Sequence, residues 1–201
     1  AGGKNGVNLG IVKNILGVIR QPEFVICDTS LLQTLPEDEY LSGMAELIKT
    51  AIIGDRELFG IIEGNKSRIM DRDKELLTLL VSRSLRFKAY VVTEDEMENG
   101  LRRILNFGHT YGHAIELHLG VKHGKAVAAG LGLAALLSLE KGFLSADEAR
   151  RIIDLLSGFG LLSDHGIGDE TIRDLILHDK KKTGGQIYFI YSEGIGQAVS
   201  E

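Results

Sequence analysis

The run from Ala126 to Leu139 constrains the fold more than any other stretch of the chain. Its apolar residues leave no polar face on a helical wheel, so a helix formed there must be covered on nearly all sides. It carries Gly130 and Gly132 and is shorter than the roughly 18 residues a membrane span needs, so no membrane segment is expected. The run therefore reads as the buried axis of a helical domain, and the other segments have to cover it.

The covering segments can be read along the chain. Helices are expected over about 56–64, 72–94, 101–118, 123–141, 145–157 and 169–178. An earlier helix follows Thr34-Leu35-Pro36-Glu37, which has the spacing of a capping box with proline in the first turn. It places Leu41, Met44, Ala45, Ile48, Ala51 and Ile52 on one stripe. Glu46 and Lys49 point elsewhere, as a surface ion pair or into a cleft. Ser145-Ala146-Asp147-Glu148 is a second capping box, with Gly158 and Gly160 as stops. Before the helices, residues 1 to about 22 read as glycine-punctuated loop with a short apolar segment near Ile15 to Ile19. Phe24 to Cys27 reads as a buried strand, which makes Cys27 a core thiol, and Gln186 to Tyr191 as a late strand after the turn Gly184-Gly185.

Bulk properties exclude several classes of function. The 201 residues suffice for one domain, or one domain plus a piece of another, and 44% apolar with 25% charged residues is a globular composition. A net charge of −5, with no basic face or arginine-rich run, argues against a nucleic-acid partner. One cysteine makes no internal disulfide, which points to a reducing, cytoplasmic compartment. The opening Ala1-Gly2-Gly3-Lys4-Asn5-Gly6 lacks an initiator methionine, and the chain is expected to enter partway through a longer protein.

Chemistry concentrates after residue 100. Arg102, Asn106, His109, His113 and Glu116 are spaced four, three, four and three, which confines them to an arc of about 80° if the segment is one helix. Five polar groups on one stripe line either solvent or a polar site, because a dry core would not hold them. Gly108 and Gly112 on a neighbouring face would admit a second backbone. His109-x-x-x-His113 alone is weak, and Thr110 stands where a zincin needs glutamate. His109 and His123, with Glu46, would make the two-imidazole, one-carboxylate set of a catalytic zinc if the three converge; otherwise each histidine is an ordinary hydrogen-bonded residue. Gly2-Gly3-Lys4 resembles a P-loop only superficially, since Asn5 replaces the required Ser or Thr. Lys4, Lys13, Asn14, Arg102 and Asn106 would still suit an anionic small substrate, or are plain surface groups. There is no Gly-x-Gly-x-x-Gly fingerprint.

Ordered motifs then point to one family. Gly2-Gly3-Lys4-Asn5-Gly6-Val7-Asn8, Lys13-Asn14, Gln21-Pro22, Gly43-Met44-Ala45-Glu46-Leu47-Ile48-Lys49 and Lys88-Ala89-Tyr90-Val91-Val92 come in sequence. Asp95-Glu96-x-Glu98-x-Gly100-x-Arg102, Leu105-Asn106-Phe107-Gly108-His109-Thr110-x-Gly112-His113-Ala114-Ile115-Glu116, His123-Gly124 and Asp179-Lys180-Lys181 follow. The chain resembles the 3-dehydroquinate synthases of the sugar-phosphate cyclase superfamily over almost its whole length. Val12, before Lys13-Asn14, and Leu9-Gly10, after Asn8, depart from the family's usual glycine and His-Pro.

The resemblance implies a mainly α fold, the helical C-terminal domain of the dehydroquinate synthase-like architecture, over residues 34–201. Residues 1–33 would be a remnant loop and strand of an upstream α/β NAD-binding domain, and a small β element would lie near the C-terminus. It implies a phosphate-eliminating cyclase (a carbon–oxygen lyase) that uses NAD and Zn2+, or another divalent metal such as Co2+. The substrate would be a small phosphorylated sugar acid, 3-deoxy-D-arabino-heptulosonate 7-phosphate, and the full-length protein a homodimer. By position, Glu46, His109 and His123 look like metal ligands, and Lys49, Lys88 and His113 like the polar groups around the reacting hydroxyls. Lys4, Lys13, Asn14, Arg102 and Asn106, with Lys180 or Lys181, look like substrate contacts, and the chain alone is expected to be inactive. The rivals are another cyclase or a metal-dependent polyol dehydrogenase of the superfamily, or a non-catalytic helical module.

Overall fold

A computed structural model describes residues 2–9, 12–119, 123–162 and 189–200, without the side chains of residues 8, 9, 12–15, 113 and 117–119. Among them the fold is mainly helical, with two small antiparallel sheets. No helix among the described residues is long and apolar enough to cross a membrane.

The first 33 residues depart most from expectation. Strands β1 (Lys4–Leu9) and β2 (Val12–Ile19) form an antiparallel hairpin, with Lys4 opposite Ile19 and Val7 opposite Leu16, where a glycine-rich loop was expected. Val7, Leu16 and Val18 are exposed, so these apolar residues mark no buried face among the described side chains of the hairpin. Conversely, Phe24 to Cys27 forms no strand: Phe24 and Ile26 are 75% and 81% exposed, and the Cys27 thiol is exposed. A β-branched run becomes a strand only beside a partner strand, and none lies beside this one among the described residues.

Helix α1 (Glu37–Gly54) buries Met44, Ala45, Ile48, Ala51 and Ile52 as its stripe requires. Its expected capping box is not made: Pro36 is the N-cap and has no side-chain bond to give. The start rests on Glu37, Asp38 and Glu39 in the first turn, where carboxylates favour the positive end of the helix dipole. Helices α2 (Arg56–Gly64), a short α3 (Lys66–Met70) and α4 (Lys74–Glu94) follow.

Asp55 joins three of these helices. Its carboxylate accepts from the Leu58 N–H at the start of α2, and from Arg83 of α4 at 2.9 Å on each oxygen. Burial pushes the Asp55 carboxyl up, but the Arg83 and Leu58 hydrogen bonds outweigh it and hold the group below the usual aspartate range. A depressed folded pKa contributes stability that is present above the unfolded value and is lost as pH falls through the folded one. Asp55→Ala is expected to cost about 2 kcal/mol at neutral pH and Asp55→Asn, which keeps the cap, about half that. Urea titrations at pH 7 and pH 3 check both values, and the deficit should shrink at the acid end.

The segment expected as one helix over 101–118 breaks in two. A 3₁₀ turn covers Leu101–Asn106, and helix α5 begins only at His109 and runs to Leu119. Between them Phe107 is driven fully into the core and Gly108 takes a φ of +76°. The five-residue stripe is therefore not one helix face. Helix α6 (His123–Glu140) is the buried axis, with Ala126, Val127, Ala128, Leu131 and Ala135 all sealed from water. A Cβ on Gly130 would lie 2.1 Å from the Gly108 carbonyl oxygen, so α5 and α6 meet backbone to backbone.

Helix α7 (Ala146–Gly158) starts at Ser145, whose hydroxyl accepts from the Glu148 N–H, and stops where Leu161 N–H reaches the Leu156 carbonyl. Strand β3 (Ile190–Ser192) pairs with β4 (Ala198–Ser200) and is tied to α6 by the Ser192 N–H bonding Ser138 Oγ at 3.0 Å. The expected helix over 169–178 and the first part of the 186–191 strand lie outside the described residues.

Candidate metal centre

Three elements deliver the central groups. Glu46 lies in the middle of α1, His109 is the first residue of α5, and His123 is the first residue of α6. Because α6 packs against both α1 and α5, its start brings the three side chains together. One potential ligand atom from each lies within 4.8 Å of the others. The two imidazole centroids are 6.0 Å apart at an interplanar angle of 65°.

The partners of each imidazole select its tautomer. His109 Nδ1 sits 3.3 Å from the Phe107 carbonyl and so carries the proton, leaving the Nε2 lone pair 3.6 Å from Glu46 Oε1. His123 Nδ1 sits 3.1 Å from Glu116 Oε2, which likewise places its proton there and leaves Nε2 as the ligand atom. A carboxylate behind a histidine raises its ligand basicity and fixes the ring. Glu116 was legible only as part of a polar stripe, and this role needs the turn from α5 to α6.

Glu46 is the group whose bonding is incomplete. Its Oε2 accepts from Lys49 Nζ at 2.7 Å, but its Oε1 is buried with no hydrogen-bond partner. Burial pushes the Glu46 carboxyl up, yet the charge and hydrogen bond of the adjacent Lys49 ammonium work against this and the group lies below the usual range. A buried carboxylate oxygen without a hydrogen-bond donor, grouped with two imidazoles, fits a divalent cation. Ligands about 2.1 Å from a common tetrahedral centre stand roughly 3.4 Å apart, close to the Glu46–His109 separation of 3.6 Å.

Lys49 and Lys88 lie beside this centre. Lys49 is only 6% exposed, and burial pulls its ammonium pKa down, with Lys88 adding to the effect against the pull of Glu46. Both lysines and Glu46 line a cavity of about 290 Å3, with Thr50, Ser84 and apolar residues such as Met44, Leu77 and Leu105.

The other candidates divide. Arg102 is 3% exposed and its guanidinium donates to the carbonyls of Gly2 and Glu96, so it holds the hairpin base against the 95–102 loop. Gln21 repeats that tie by donating to Glu96 at 3.1 Å. Lys4 and Asn106 converge on a residue to which the sequence reading gave no role, Glu98: Lys4 Nζ and Asn106 Nδ2 each donate to its carboxylate. The side chains of Lys13, Asn14 and His113, and all of Lys180 and Lys181, lie outside the described residues.

Comparison with known proteins adds three findings. Residues 43–182 match the family model described as 3-dehydroquinate synthase C-terminal, and residues 1–42 match 3-dehydroquinate synthase N-terminal. The curated 3-dehydroquinate synthase of Dehalococcoides mccartyi (strain CBDB1) is 44% identical over 201 residues, covering 98% of this chain and 56% of the relative. That of Geotalea uraniireducens (strain Rf4) is 42% identical over 199 residues, covering 97% and 55%. The chain thus spans about half the length of the curated relatives it matches. Among solved structures, 2-epi-5-epi-valiolone synthase from Streptomyces hygroscopicus subsp. jinggangensis 5008, with NAD+ and Zn2+ bound, superimposes with a TM-score of 0.86 at 27% identity, covering 98% of this chain and 56% of that one. A 2-deoxy-scyllo-inosose synthase complexed with carbaglucose-6-phosphate, NAD+ and Co2+ gives 0.82 at 27% identity, with the same coverage.

Proposed function

The chain belongs to the 3-dehydroquinate synthase family, and from that premise we propose that it supplies the metal and most of the substrate-binding half of a 3-dehydroquinate synthase. The full protein would convert 3-deoxy-D-arabino-heptulosonate 7-phosphate to 3-dehydroquinate and inorganic phosphate, with NAD used transiently. The observation that carries this reading is the buried Glu46 Oε1 without a hydrogen-bond partner, grouped with His109 and His123 within 4.8 Å. Those three residues would hold Zn2+ or Co2+, which when bound supplies Lewis acidity toward a hydroxyl or carbonyl oxygen.

The chain's own groups account for the remainder. Lys49, which is buried, and Lys88, which is exposed, line the cavity beside Glu46, where their ammonium groups would hold substrate hydroxyls and absorb developing negative charge. His113 is assigned with them by the family resemblance. Lys4 and Asn106 would bind an anionic end of the substrate, aided by Lys13, Asn14 and Lys180 or Lys181. Arg102 contributes by holding the hairpin that carries Lys4. In this reading residues 1–33 are the end of the NAD-binding domain and 34–201 the helical one, and the full-length enzyme is a cytoplasmic homodimer; ultracentrifugation of that protein would check the dimer.

The test is phosphate release by the full-length protein given NAD, Zn2+ and the heptulosonate phosphate. Turnover is expected, with none from the present chain alone. Turnover of a different sugar phosphate in its place would move the assignment to another cyclase of the superfamily. Glu116→Gln should weaken Zn2+ binding about 10- to 100-fold, by loosening the hold on His123 Nδ1. Competition with a chromophoric chelator measures it without reference to turnover.

A further inference from the structure

Arg72 occupies a backbone position that arginine rarely takes. It is the one residue between Asp71, the C-cap of α3, and Asp73, the N-cap of α4, and its φ is +58°. Such a left-handed link ordinarily selects glycine or asparagine, because a larger side chain crowds the following carbonyl. What the side chain touches shows what offsets that cost.

Both the side chain and the main chain of Arg72 face the connector that leads from the hairpin to α1. Its Nη1 donates to the carbonyls of Leu32 and Gln33, at 2.9 and 2.8 Å, and its own carbonyl accepts in return from Gln33 Nε2 at 2.7 Å. Leu32 and Gln33 end the 3₁₀ turn Thr29–Gln33, where the last carbonyls lack partners within the turn and carry partial negative charge. The guanidinium also lies over the Tyr40 ring, 4.7 Å from its centroid. Tyr40 is 4% exposed and is fixed by its hydroxyl, which donates to the Ile69 carbonyl at 2.6 Å. A cation stacked on an immobile ring is held in orientation as well as in place. Burial alone does not hold the connector: no residue of the 3₁₀ turn is buried, and Leu31 is 68% exposed. A second polar tie runs from Thr29 Oγ1 to Thr78 Oγ1 of α4, at 2.9 Å.

The connector is also a wall. Leu32 and Leu35, with Tyr40, line the same cavity of about 290 Å3 as Glu46, Lys49 and Lys88. In the proposed reading the joint between the nucleotide-binding half and the helical half falls inside this segment. We propose that Arg72 is a positioning residue: it pins the 29–35 connector to the helices as a fixed wall of that cavity, and so sets how the upstream half meets Glu46, Lys49 and Lys88. It acts through the connector and not by contact with the reacting atoms. This inference rests on the proposed function for the reaction it serves, whereas the pinning stands on the geometry alone.

Arg72→Gly in the full-length protein separates positioning from folding, because glycine is at ease at a φ of +58° while the clamp is lost. Amide hydrogen exchange over 29–35 should accelerate about 30-fold, with the interiors of α1 and α4 unchanged, and Tm should fall by no more than about 3 °C. Zn2+ affinity should stay as in the wild type, while kcat/KM for the heptulosonate phosphate falls about tenfold. Arg72→Lys, which keeps a cationic donor for the two carbonyls, should recover part of both losses. Gln33→Ala, which removes only the return bond, should show smaller losses of the same kind. Unchanged exchange over 29–35 in Arg72→Gly would overturn the proposal. So would faster exchange there with kcat/KM unaltered, or a loss of turnover matched by falls in Tm and Zn2+ affinity. If the wild type releases no phosphate from the heptulosonate phosphate, the functional reading fails by itself. The exchange comparison then decides about Arg72: acceleration confined to 29–35 supports the clamp, and an unchanged or chain-wide response sinks it.

Discussion

Glu46→Ala is expected to lower Zn2+ affinity by about three orders of magnitude and to destabilise the fold by roughly 3 kcal/mol, two effects with separate causes. The first is the removal of one of three ligands, a loss that His109→Ala should share. The second belongs to Glu46 alone. Its Oε2 is the counter-charge for Lys49, a residue 6% exposed whose ammonium is 2.7 Å away. Without it Lys49 must stay charged and unpaired inside the protein, or give up its proton at a cost. Zinc titration together with urea unfolding of the metal-free protein separates the two. His109→Ala should lose the metal while remaining clearly more stable than Glu46→Ala, and equal stabilities would refute the role given to the Lys49 pair.

Gly130→Ala carries the second large effect. The new methyl would sit 2.1 Å from the Gly108 carbonyl oxygen and 2.7 Å from the Gly112 nitrogen, both backbone atoms that cannot rotate aside. Helices α5 and α6 would have to separate, at a cost of about 3 kcal/mol or more. His109 and His123 begin those two helices, so metal affinity should fall as well, on the order of tenfold, although no ligand is altered. Gly60→Ala makes the control, since a Cβ there meets nothing within 4 Å, and alanine in α2 should be neutral or mildly stabilising. Circular dichroism melts and chelator competition on both variants test the contrast.

Legibility in the sequence followed the physics of each signal. Helix α6 and the buried stripe of α1 could be read because burial imposes a period that neighbours cannot erase. In the β1–β2 hairpin Val7, Leu16 and Val18 face water, so among the described side chains these apolar residues offer no buried stripe to detect. Phe24–Ile26 failed in the opposite direction, since its composition speaks for a strand and pairing decides. The break at Gly108 was hidden because Arg102, Asn106 and His109 keep helical spacing across a turn that is not helical. Glu46, His109 and His123 were named through the family's motif order. Their convergence comes from tertiary packing, which spacing along one chain does not encode. Glu98 and Glu116 were invisible as individuals because each has a partner distant in the chain or beyond a turn.

The glycine contact between α5 and α6 has one more consequence, for how this protein tolerates change. The interval between two of the three candidate ligands is set by main-chain atoms touching main-chain atoms, not by the volumes of surrounding side chains. Core substitutions elsewhere, such as Ile62→Val or Leu80→Ala, should therefore lower the melting temperature and leave the chelation geometry intact up to the point of unfolding. The protein can drift in composition around a coordination distance that the backbone alone keeps.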